Sequence, residues 1–202
     1  MLLFFGEPAV KIFSLIIKLT LKMKGVQIGK NFRIEGMPKI TGNVSSISFG
    51  DNVTIMDNVE LKVRDAGKIE ILDNVKIDNG VRIISANDAI VKISSYSKIM
   101  FNSIINAGDD IIIGNKTAIS AFCIINSSMH LNLKKKNFMD QGYSNKPISI
   151  GDDVQIGTHS YVLPGVTISK GALISTHSIV QEDIPEYTIV AGTPARAVGI
   201  RD

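Results

Sequence analysis

The chain has 202 residues, of which 45% are hydrophobic and 20% are charged, and this balance indicates one folded domain rather than a disordered chain. The net charge of +3 is small and the basic residues are spread along the sequence, so the composition does not indicate a nucleic-acid partner. The single cysteine, Cys123, excludes an internal disulfide.

Residues 1–25 are the only segment with helical character. Pro8 is suited to open a helix and Gly25 to close it. One side of this helix is apolar: Leu15, Ile16, Leu19 and Met23. Another side carries lysines: Lys11, Lys18 and Lys22. The lysines interrupt the apolar run well short of the ~20 residues of a membrane span. We interpret the segment as a cap on the following domain, with a basic amphipathic helix resting on an anionic membrane as the alternative.

Aliphatic residues then recur every six positions. One register occupies ten successive positions: Ile69, Val75, Val81, Asn87, Ile93, Ile99, Ile105, Ile111, Thr117 and Cys123. This period matches neither an α-helix, which repeats about every 3.6 residues, nor a half-buried strand, which alternates about every two. It predicts an all-β solenoid over residues 26–183, with three six-residue faces in each turn and like side chains stacked ~4.8 Å apart. Residues that tolerate positive φ mark the corners, as in Gly50-Asp51-Asn52.

The register stops after Cys123 and resumes at Ile148, so residues 126–147 form an extruded loop. Loops of this length in compact domains are usually functional or disordered. His130 lies near the start of the loop, where an imidazole is a usable proton acceptor at neutral pH. We single it out as a candidate general base, with a solvent-exposed loop histidine as the alternative.

The remaining histidines, His159 and His177, are 18 residues apart. We expect them to stack on neighbouring coils as an exposed pair, although they could also flank a ligand that runs along that face. Cys123 falls on an inward position, where a thiol acts as a small apolar filler.

Two local motifs are sharper than the repeat. Residues 148–180 read ISIGDDVQIGTHSYVLPGVTISKGALISTHSIV, and the tail, residues 184–202, carries VAGTPAR at positions 190–196. Together with the repeat and the His130 loop, they resemble the hexapeptide-repeat acyltransferases, which fold as a left-handed parallel β-helix. The resemblance is closest to the maltose, galactoside and polysaccharide O-acetyltransferases. The left hand is implied by this resemblance alone, because the usual crossover preference favours the opposite hand.

The resemblance implies acetyl transfer from acetyl-CoA to a hydroxyl or amine, with His130 as general base and no covalent acyl-enzyme. It implies that Gly157, Thr158 and Thr176 contact the pantetheine arm and that Arg196 lies near the nucleotide phosphates. It also implies a homotrimer in which two subunits share each site.

The chain departs from the family pattern at three positions. Glu182 stands where the tail often has a lysine, and Gln155 stands where a tryptophan is usual. The acceptor-binding asparagine of the family falls on Met100, so Asn102, two residues further on, is the candidate acceptor contact.

Other functions stay open at this point. An O-acetyltransferase for a sugar or polysaccharide is the first choice, and an N-acetyltransferase for an amino sugar, such as a nucleotide-linked one, is the second. A non-catalytic β-helix scaffold is a further alternative, since fold alone does not fix activity. A zinc enzyme built on the three histidines lacks closely spaced ligand pairs, so we expect no metal. We expect a cytoplasmic protein, with contact between residues 1–24 and the inner membrane face as the alternative role of the helix.

Overall fold

The computed structural model describes residues 7–202, with side chains described from residue 12 onward. It begins with one helix, α1 (Glu7–Met23). The strands follow in chain order: β1 (Gln27–Ile28), β2 (Arg33–Ile34), β3 (Lys39–Gly42), β4 (Ile47–Phe49), β5 (Thr54–Ile55), β6 (Glu60–Val63), β7 (Lys68–Ile71), β8 (Lys76–Ile77), β9 (Arg82–Ser85), β10 (Ile90–Ile93), β11 (Lys98–Ile99), β12 (Ile104–Ala107), β13 (Ile111–Ile113), β14 (Ala118–Ile119), β15 (Ile124–Asn126), β16 (Ser128–His130), β17 (Tyr143–Asn145), β18 (Ile148–Ile150), β19 (Gln155–Ile156), β20 (Tyr161–Val162), β21 (Thr167–Ile168), β22 (Leu173–Ile174), β23 (Ile179–Val180), β24 (Thr188–Ala191) and β25 (Arg196–Ile200). Short 3₁₀ helices cover Val44–Ser46 and Phe138–Asp140.

The strands stack into three sheets that form the sides of a β-solenoid of about 7 turns. The first sheet runs β1-β4-β7-β10-β13-β18-β21, the second runs β2-β5-β8-β11-β14-β19-β22-β24-β25, and the third runs β3-β6-β9-β12-β15-β20-β23. Neighbouring strands within the three sheets are parallel, except that β25 pairs antiparallel with β24 at the end of the second sheet. The predicted all-β solenoid is confirmed.

The interior consists of aliphatic columns, as the hexad register predicts. Val91 pairs with Ile69 on one side and Ile111 on the other, and Ile111 pairs with Ile148 across the extruded segment. All four are buried. Asparagines take the left-handed backbone conformation at the same corner of three successive coils: Asn31, Asn52 and Asn74, with φ of 52°, 57° and 59°. The corner residues therefore let the chain turn without glycine at these positions.

The coils are longer than the predicted 18 residues in the first half of the chain. Equivalent positions such as Asp51 and Asp73 hydrogen-bond at a spacing of 22 residues. The strands of the third sheet there have four residues, and each adds one inward position, such as Ser85 in β9. The expectation that Asn87 points inward is therefore wrong: it is an exposed corner residue with φ of 59°, and Ala89 is buried instead. After the extruded segment the spacing falls to 18.

Helix α1 covers the N-terminal end of the solenoid. Gly25, with φ of 84°, follows its last turn and donates its amide to the carbonyl of Lys22 at 3.0 Å, as the predicted helix end requires. Leu21 is buried, Phe13 and Ile17 pack against the core, and Ser14 Oγ accepts the Ile34 amide at 3.1 Å.

The packed face of α1 is not the apolar face singled out in the sequence. That face is exposed: Leu15, Ile16, Leu19 and Met23, joined by Ile12. Residues 1–6 and the Lys11 side chain lie outside the described part of the structure. Within that part, no helix combines the length and apolar character needed to cross a membrane.

Candidate active site

The extruded segment forms an antiparallel hairpin from β16 and β17, which follows β15, an interior strand of the third sheet. Its base is tied to the preceding coil by the buried hydroxyl of Ser127, which donates to the Asp109 carbonyl at 2.8 Å and accepts the Gly108 amide at 3.0 Å. Asn126 Nδ2 donates to the Ser128 carbonyl at 2.7 Å and to the Tyr161 hydroxyl at 3.0 Å. The hairpin is therefore fixed to the rigid coil at its root.

His130 lies on this hairpin opposite Tyr143, and its side chain is exposed. The two rings are in contact, with centroids 4.3 Å apart and an angle of 37° between their planes. Because side chains alternate along a strand and opposite residues share a face, Ser128 and Asn145 lie on the same face of the hairpin as these rings. The contact with Tyr143 holds the imidazole against that face.

The hairpin separates two clefts. The first, of about 320 Å³, lies between the hairpin face of Tyr143 and the preceding coils. The second, of about 290 Å³, lies toward the following coils and is lined by Met129, Leu163 and Pro164, and by His130 itself. His130 therefore stands at the border of both clefts, through its contact with Tyr143 on one side and its own surface on the other.

The first cleft is rich in polar groups. They come from the third sheet and the corner that follows it, and from the hairpin: Arg64, Asp65, Asn87, Asn106 and Asn145. Asn87 Nδ2 donates to the Gly108 carbonyl at 2.7 Å, and Asn106 Nδ2 donates to Asn126 Oδ1 at 2.9 Å, so two amides are held in place. Charged and amide groups in this arrangement can hydrogen-bond a ligand with many hydroxyls.

The residues of this cleft were not predicted from the sequence. A signal was available, because Ile84, Asn106 and Asn126 are register partners on the outer face of the third sheet. The row leads directly to the base of the hairpin. This row of residues can be recognised in the sequence only when the true coil length is known, because an assumed spacing of 18 residues misaligns the three positions.

The other predicted site residues lie at the corner between the second and third sheets. Thr158 and Thr176 occupy equivalent positions on neighbouring coils, and the His177 amide donates to the Thr158 carbonyl at 2.9 Å. Asn102 lies at the same corner three coils earlier in the described chain than His177, is exposed, and has φ of 57°. We call this corner the donor edge, after the predicted contacts of Thr158 and Thr176 with the acyl donor.

Gly157 also lies at the donor edge, but it is buried. A Cβ at this position would come within 2.6 Å of the Thr176 backbone nitrogen and 2.8 Å of the Ile174 carbonyl oxygen. The Gly157 amide donates to that same carbonyl at 2.8 Å. Close stacking of two coils therefore accounts for glycine here.

An aromatic ladder runs along the donor edge. The rings of His159 and His177 stack with centroids 4.9 Å apart, and Phe122 stacks on His159 at the same separation. Phe101 meets Phe122 edge-on at 5.2 Å. The expected stacking of the two histidines on neighbouring coils is confirmed, and both are exposed.

The donor edge and the hairpin lie at opposite ends of the third-sheet strands. Each strand begins after the donor edge and ends at the corner from which the hairpin extends, and a four-residue strand such as β12 spans ~13 Å. Asn102, Thr158 and Thr176 line neither of the two clefts. The described protomer therefore does not bring His130 together with these residues.

No protein-family model matches the chain. It is 27% identical over 177 residues, 84% of this chain and 79% of the relative, to WbbJ of Escherichia coli, assigned to lipopolysaccharide biosynthesis as an O-acetyl transferase. It is 36% identical over 94 residues to galactoside O-acetyltransferase of Escherichia coli, covering 46% of this chain and 43% of that enzyme.

Among solved structures, the chain superposes on AntD, an N-acyltransferase from Bacillus cereus in complex with dTDP and 3-hydroxybutyryl-CoA. The TM-score is 0.61 at 22% identity, with 92% of this chain and 88% of AntD covered. That likeness establishes the fold. The chain is therefore similar in fold and in sequence to the hexapeptide-repeat acetyltransferases. The predicted family and the predicted enzyme class, an acyltransferase, are confirmed.

Arg196, the predicted phosphate contact, forms an ion pair with Glu182. Its Nη1 lies 3.2 Å from Oε1 of Glu182, the residue that replaces the usual family lysine. Both side chains are more than half exposed. Glu182 therefore does more than remove a basic residue, because its carboxylate offsets the charge of the neighbouring guanidinium.

Cys123 is buried within a corner column of serines, as its inward register predicts. Its amide donates to Ser103 Oγ at 3.1 Å, and its thiol donates to the Gly157 carbonyl at 3.1 Å. Burial raises the pKa of the Cys123 thiol above its ordinary value. The thiol therefore stays protonated and enclosed at neutral pH.

The three histidines do not converge on one point, because two belong to the donor edge and His130 lies on the hairpin. Among residues 7–202, no group of three or more histidine, cysteine, aspartate or glutamate side chains could hold a metal ion. The zinc alternative therefore finds no ligand set in the described chain.

Proposed function

We propose that the protein transfers an acetyl group from acetyl-CoA to a hydroxyl of a sugar or polysaccharide, with His130 as the general base. The observation that carries the proposal is the face of the hairpin, where the His130 imidazole rests on Tyr143 at the rim of a polar cleft. A base needs hydrogen-bond reach to the acceptor, and an exposed imidazole on a fixed hairpin meets that requirement.

The polar cleft is the proposed acceptor site. Its amide groups and the aromatic ring of Tyr143 suit a carbohydrate, which presents hydroxyls to the amides and C–H faces to the ring. Arg64, an exposed cation at the same cleft, would favour an acceptor that carries an acidic group or a phosphate. Asn102 stays a proposed acceptor contact only if a neighbouring protomer supplies it.

The chemical step balances without a further reagent. The acceptor hydroxyl gives its proton to an imidazole nitrogen of His130 while its oxygen forms a bond to the thioester carbonyl carbon. The carbon–sulfur bond then breaks, and the imidazolium returns the proton to the leaving thiolate. Backbone amides near the site would stabilise the oxyanion that develops between these events.

Direct transfer is supported by the environment of the only thiol. A covalent acyl-enzyme on cysteine needs an accessible thiolate, and Cys123 is enclosed with a raised pKa. In the proposed mechanism the acetyl group therefore passes directly from the thioester to the acceptor, without an acyl-enzyme.

The separation between the hairpin and the donor edge supports a site shared by two protomers. We propose a homotrimer in which the donor edge of one protomer, with Thr158 and Thr176, faces the His130 hairpin of its neighbour. Gly157 would then act through coil packing, and Arg196 would approach the nucleotide phosphates after leaving Glu182. In this arrangement the thioester would lie between the donor edge of one protomer and the His130 hairpin of its neighbour.

N-acylation of an amino sugar is the second candidate. It is supported by the likeness to the N-acyltransferase AntD across 92% of this chain. The same base and the same cleft would serve an amine, so the two candidates differ only in the acceptor atom.

The test is a transfer assay with acetyl-CoA and a panel of sugars, amino sugars and glycans, followed by release of the free CoA thiol. We expect thiol release that depends on an acceptor and an alkali-labile ester in the product. An alkali-stable amide would establish the second candidate. Failure of the protein to bind acetyl-CoA would overturn both and leave a non-catalytic scaffold.

Tyr143 offers a sharper test of the cleft. Replacing Tyr143 with Ala should raise the acceptor KM and lower kcat, because the ring both lines the cleft and holds the imidazole, whereas Tyr143→Phe should restore most of the activity. The matched control is Leu133→Ala, an exposed aliphatic change further along the same extruded segment. Equal losses in the two alanine variants would show that only the loop fold matters.

A further inference from the structure

Helix α1 presents an apolar face that nothing in the described structure covers. Five large side chains on this face are between 53% and 80% exposed: Ile12, Leu15, Ile16, Leu19 and Met23. They follow the spacing of one side of a helix, and the opposite side, with Ser14 and Leu21, is the one that packs on the solenoid. An apolar patch of this continuity usually marks an interaction surface.

The charged residues that border this face are basic, and the carboxylate of α1 is that of Glu7, its first residue. Lys18 and Lys22 each lie three positions after an apolar residue of the face, Leu15 and Leu19, and so border it along one side. Lys22 is exposed, and Lys18 donates to the Gly29 carbonyl at 3.4 Å. From residue 8 to residue 34 the sequence has no aspartate or glutamate, while it has lysines or arginines at positions 11, 18, 22, 24, 30 and 33.

This charge decides between two occupants of the face. If a second copy docked face to face, the lysines of the two helices would lie close together and repel each other. Neither chain has an aspartate or glutamate between residues 8 and 34 to offset them. An anionic lipid surface supplies the missing negative charge and also takes up the apolar side chains at the level of the acyl chains.

We propose that the exposed face of α1 docks the protein on an anionic membrane surface. The helix would lie in the plane of the interface, about 25 Å long at 1.5 Å per residue, with the apolar face toward the lipid and the solenoid pointing away from it. The first five residues of the chain, Met-Leu-Leu-Phe-Phe, add further apolar character to the same end of the sequence. The proposal does not depend on the acceptor or on the acetyl transfer.

The experiment is co-sedimentation of the full chain with vesicles of phosphatidylcholine containing about 30% phosphatidylglycerol, compared with vesicles of phosphatidylcholine alone. We expect binding to the anionic vesicles that weakens with salt. Replacing Leu15 and Leu19 with Gln should lower the partition constant by about 100-fold, roughly tenfold for each leucine withdrawn from lipid. Replacing Lys22 and Lys24 with Gln should lower it by about 20-fold on the anionic vesicles only.

The matched control is Val198→Gln with Ile200→Gln, two equally exposed apolar residues on β25 at the other end of the solenoid. This variant should bind the vesicles as the natural chain does, and far-UV circular dichroism should show all variants folded. Equal loss in the control, or no binding to anionic vesicles, would overturn the proposal. So would a lipid-free assembly that halves in mass when Leu15 and Leu19 are replaced, because a second copy would then cover the face.

Discussion

Gly157 allows a packing role to be separated from contact with the acyl donor. In Gly157→Ala the new methyl group would lie 2.6 Å from the Thr176 nitrogen and 2.8 Å from the Ile174 carbonyl oxygen, both of them backbone atoms that cannot rotate away. Overpacking of this kind typically costs about 1–3 kcal/mol. Moving the coils apart would also weaken the hydrogen bond from the Gly157 amide to the Ile174 carbonyl, which is worth ~1 kcal/mol. We expect the free energy of unfolding to fall by about 2–4 kcal/mol.

The assay is urea denaturation followed by circular dichroism, together with the KM for acetyl-CoA below the transition. Gly199→Ala is the control, because its Cβ would meet only ordinary contacts at 3.8 Å and the variant should keep the stability of the natural chain. A Gly157→Ala protein of unchanged stability whose KM for acetyl-CoA is raised would exclude the packing role. Gly157 would then contact the donor directly.

Three further predictions concern the core, the surface and the thiol. In Ile111→Asp the free energy of unfolding should fall by about 4 kcal/mol or more, because the aliphatic column offers no partner for a buried charge. The control Ile112→Asp, on the outer face of the same strand, should stay folded. A soluble, folded Ile111→Asp protein would show the register to be wrong. The Arg82 guanidinium, 2.8 Å from Glu60, lowers the pKa of that carboxyl below its ordinary 4.5. The ionised pair therefore adds stability above pH 4.5 that is lost as the pH falls below this value. The difference in unfolding free energy between the natural chain and Glu60→Gln should shrink as the pH falls below 4.5. A pH-independent difference would exclude a stabilising ion pair. Cys123→Ser should keep transfer activity within about twofold, because a hydroxyl fits the serine column; a 100-fold loss (about 2.7 kcal/mol in the barrier) would point to an acyl-enzyme.

The architecture follows from the sequence because its signal is repeated in every coil. Each inward isoleucine, such as Ile69 or Ile111, reports the same environment, and asparagine or glycine at the corners reports the same backbone conformation. The coil length was not predictable in this way. A coil of 22 residues is four longer than three hexads, with Ser85 and Ala89 as extra buried positions. A fixed period of six therefore runs from Val81 to Ile93, the register partner of Ile71 rather than of Ile69, and passes through Asn87 at the exposed corner, which is why Asn87 was misplaced.

Features without a repeat were harder to predict. Helix α1 is apolar on more than one side, so its pattern does not select the packed face. That face is identified by buried Leu21 and by the hydrogen bond from the Ile34 amide to Ser14. The extruded segment identified His130, but its pairing with Tyr143 depends on hairpin register, which short polar strands do not encode. The polar cleft joins residues from several coils, so it becomes visible only once the coils are stacked.

The role of His130 is tested most directly by the turnover of His130→Ala with acetyl-CoA and the best acceptor from the panel. We predict that kcat falls by ~10²-fold or more, the usual scale for loss of a general base, while the KM for acetyl-CoA and the circular dichroism spectrum stay unchanged. Leu133→Ala, measured in parallel, should turn over at the natural rate. Near-normal turnover of His130→Ala would exclude the imidazole from the chemical step.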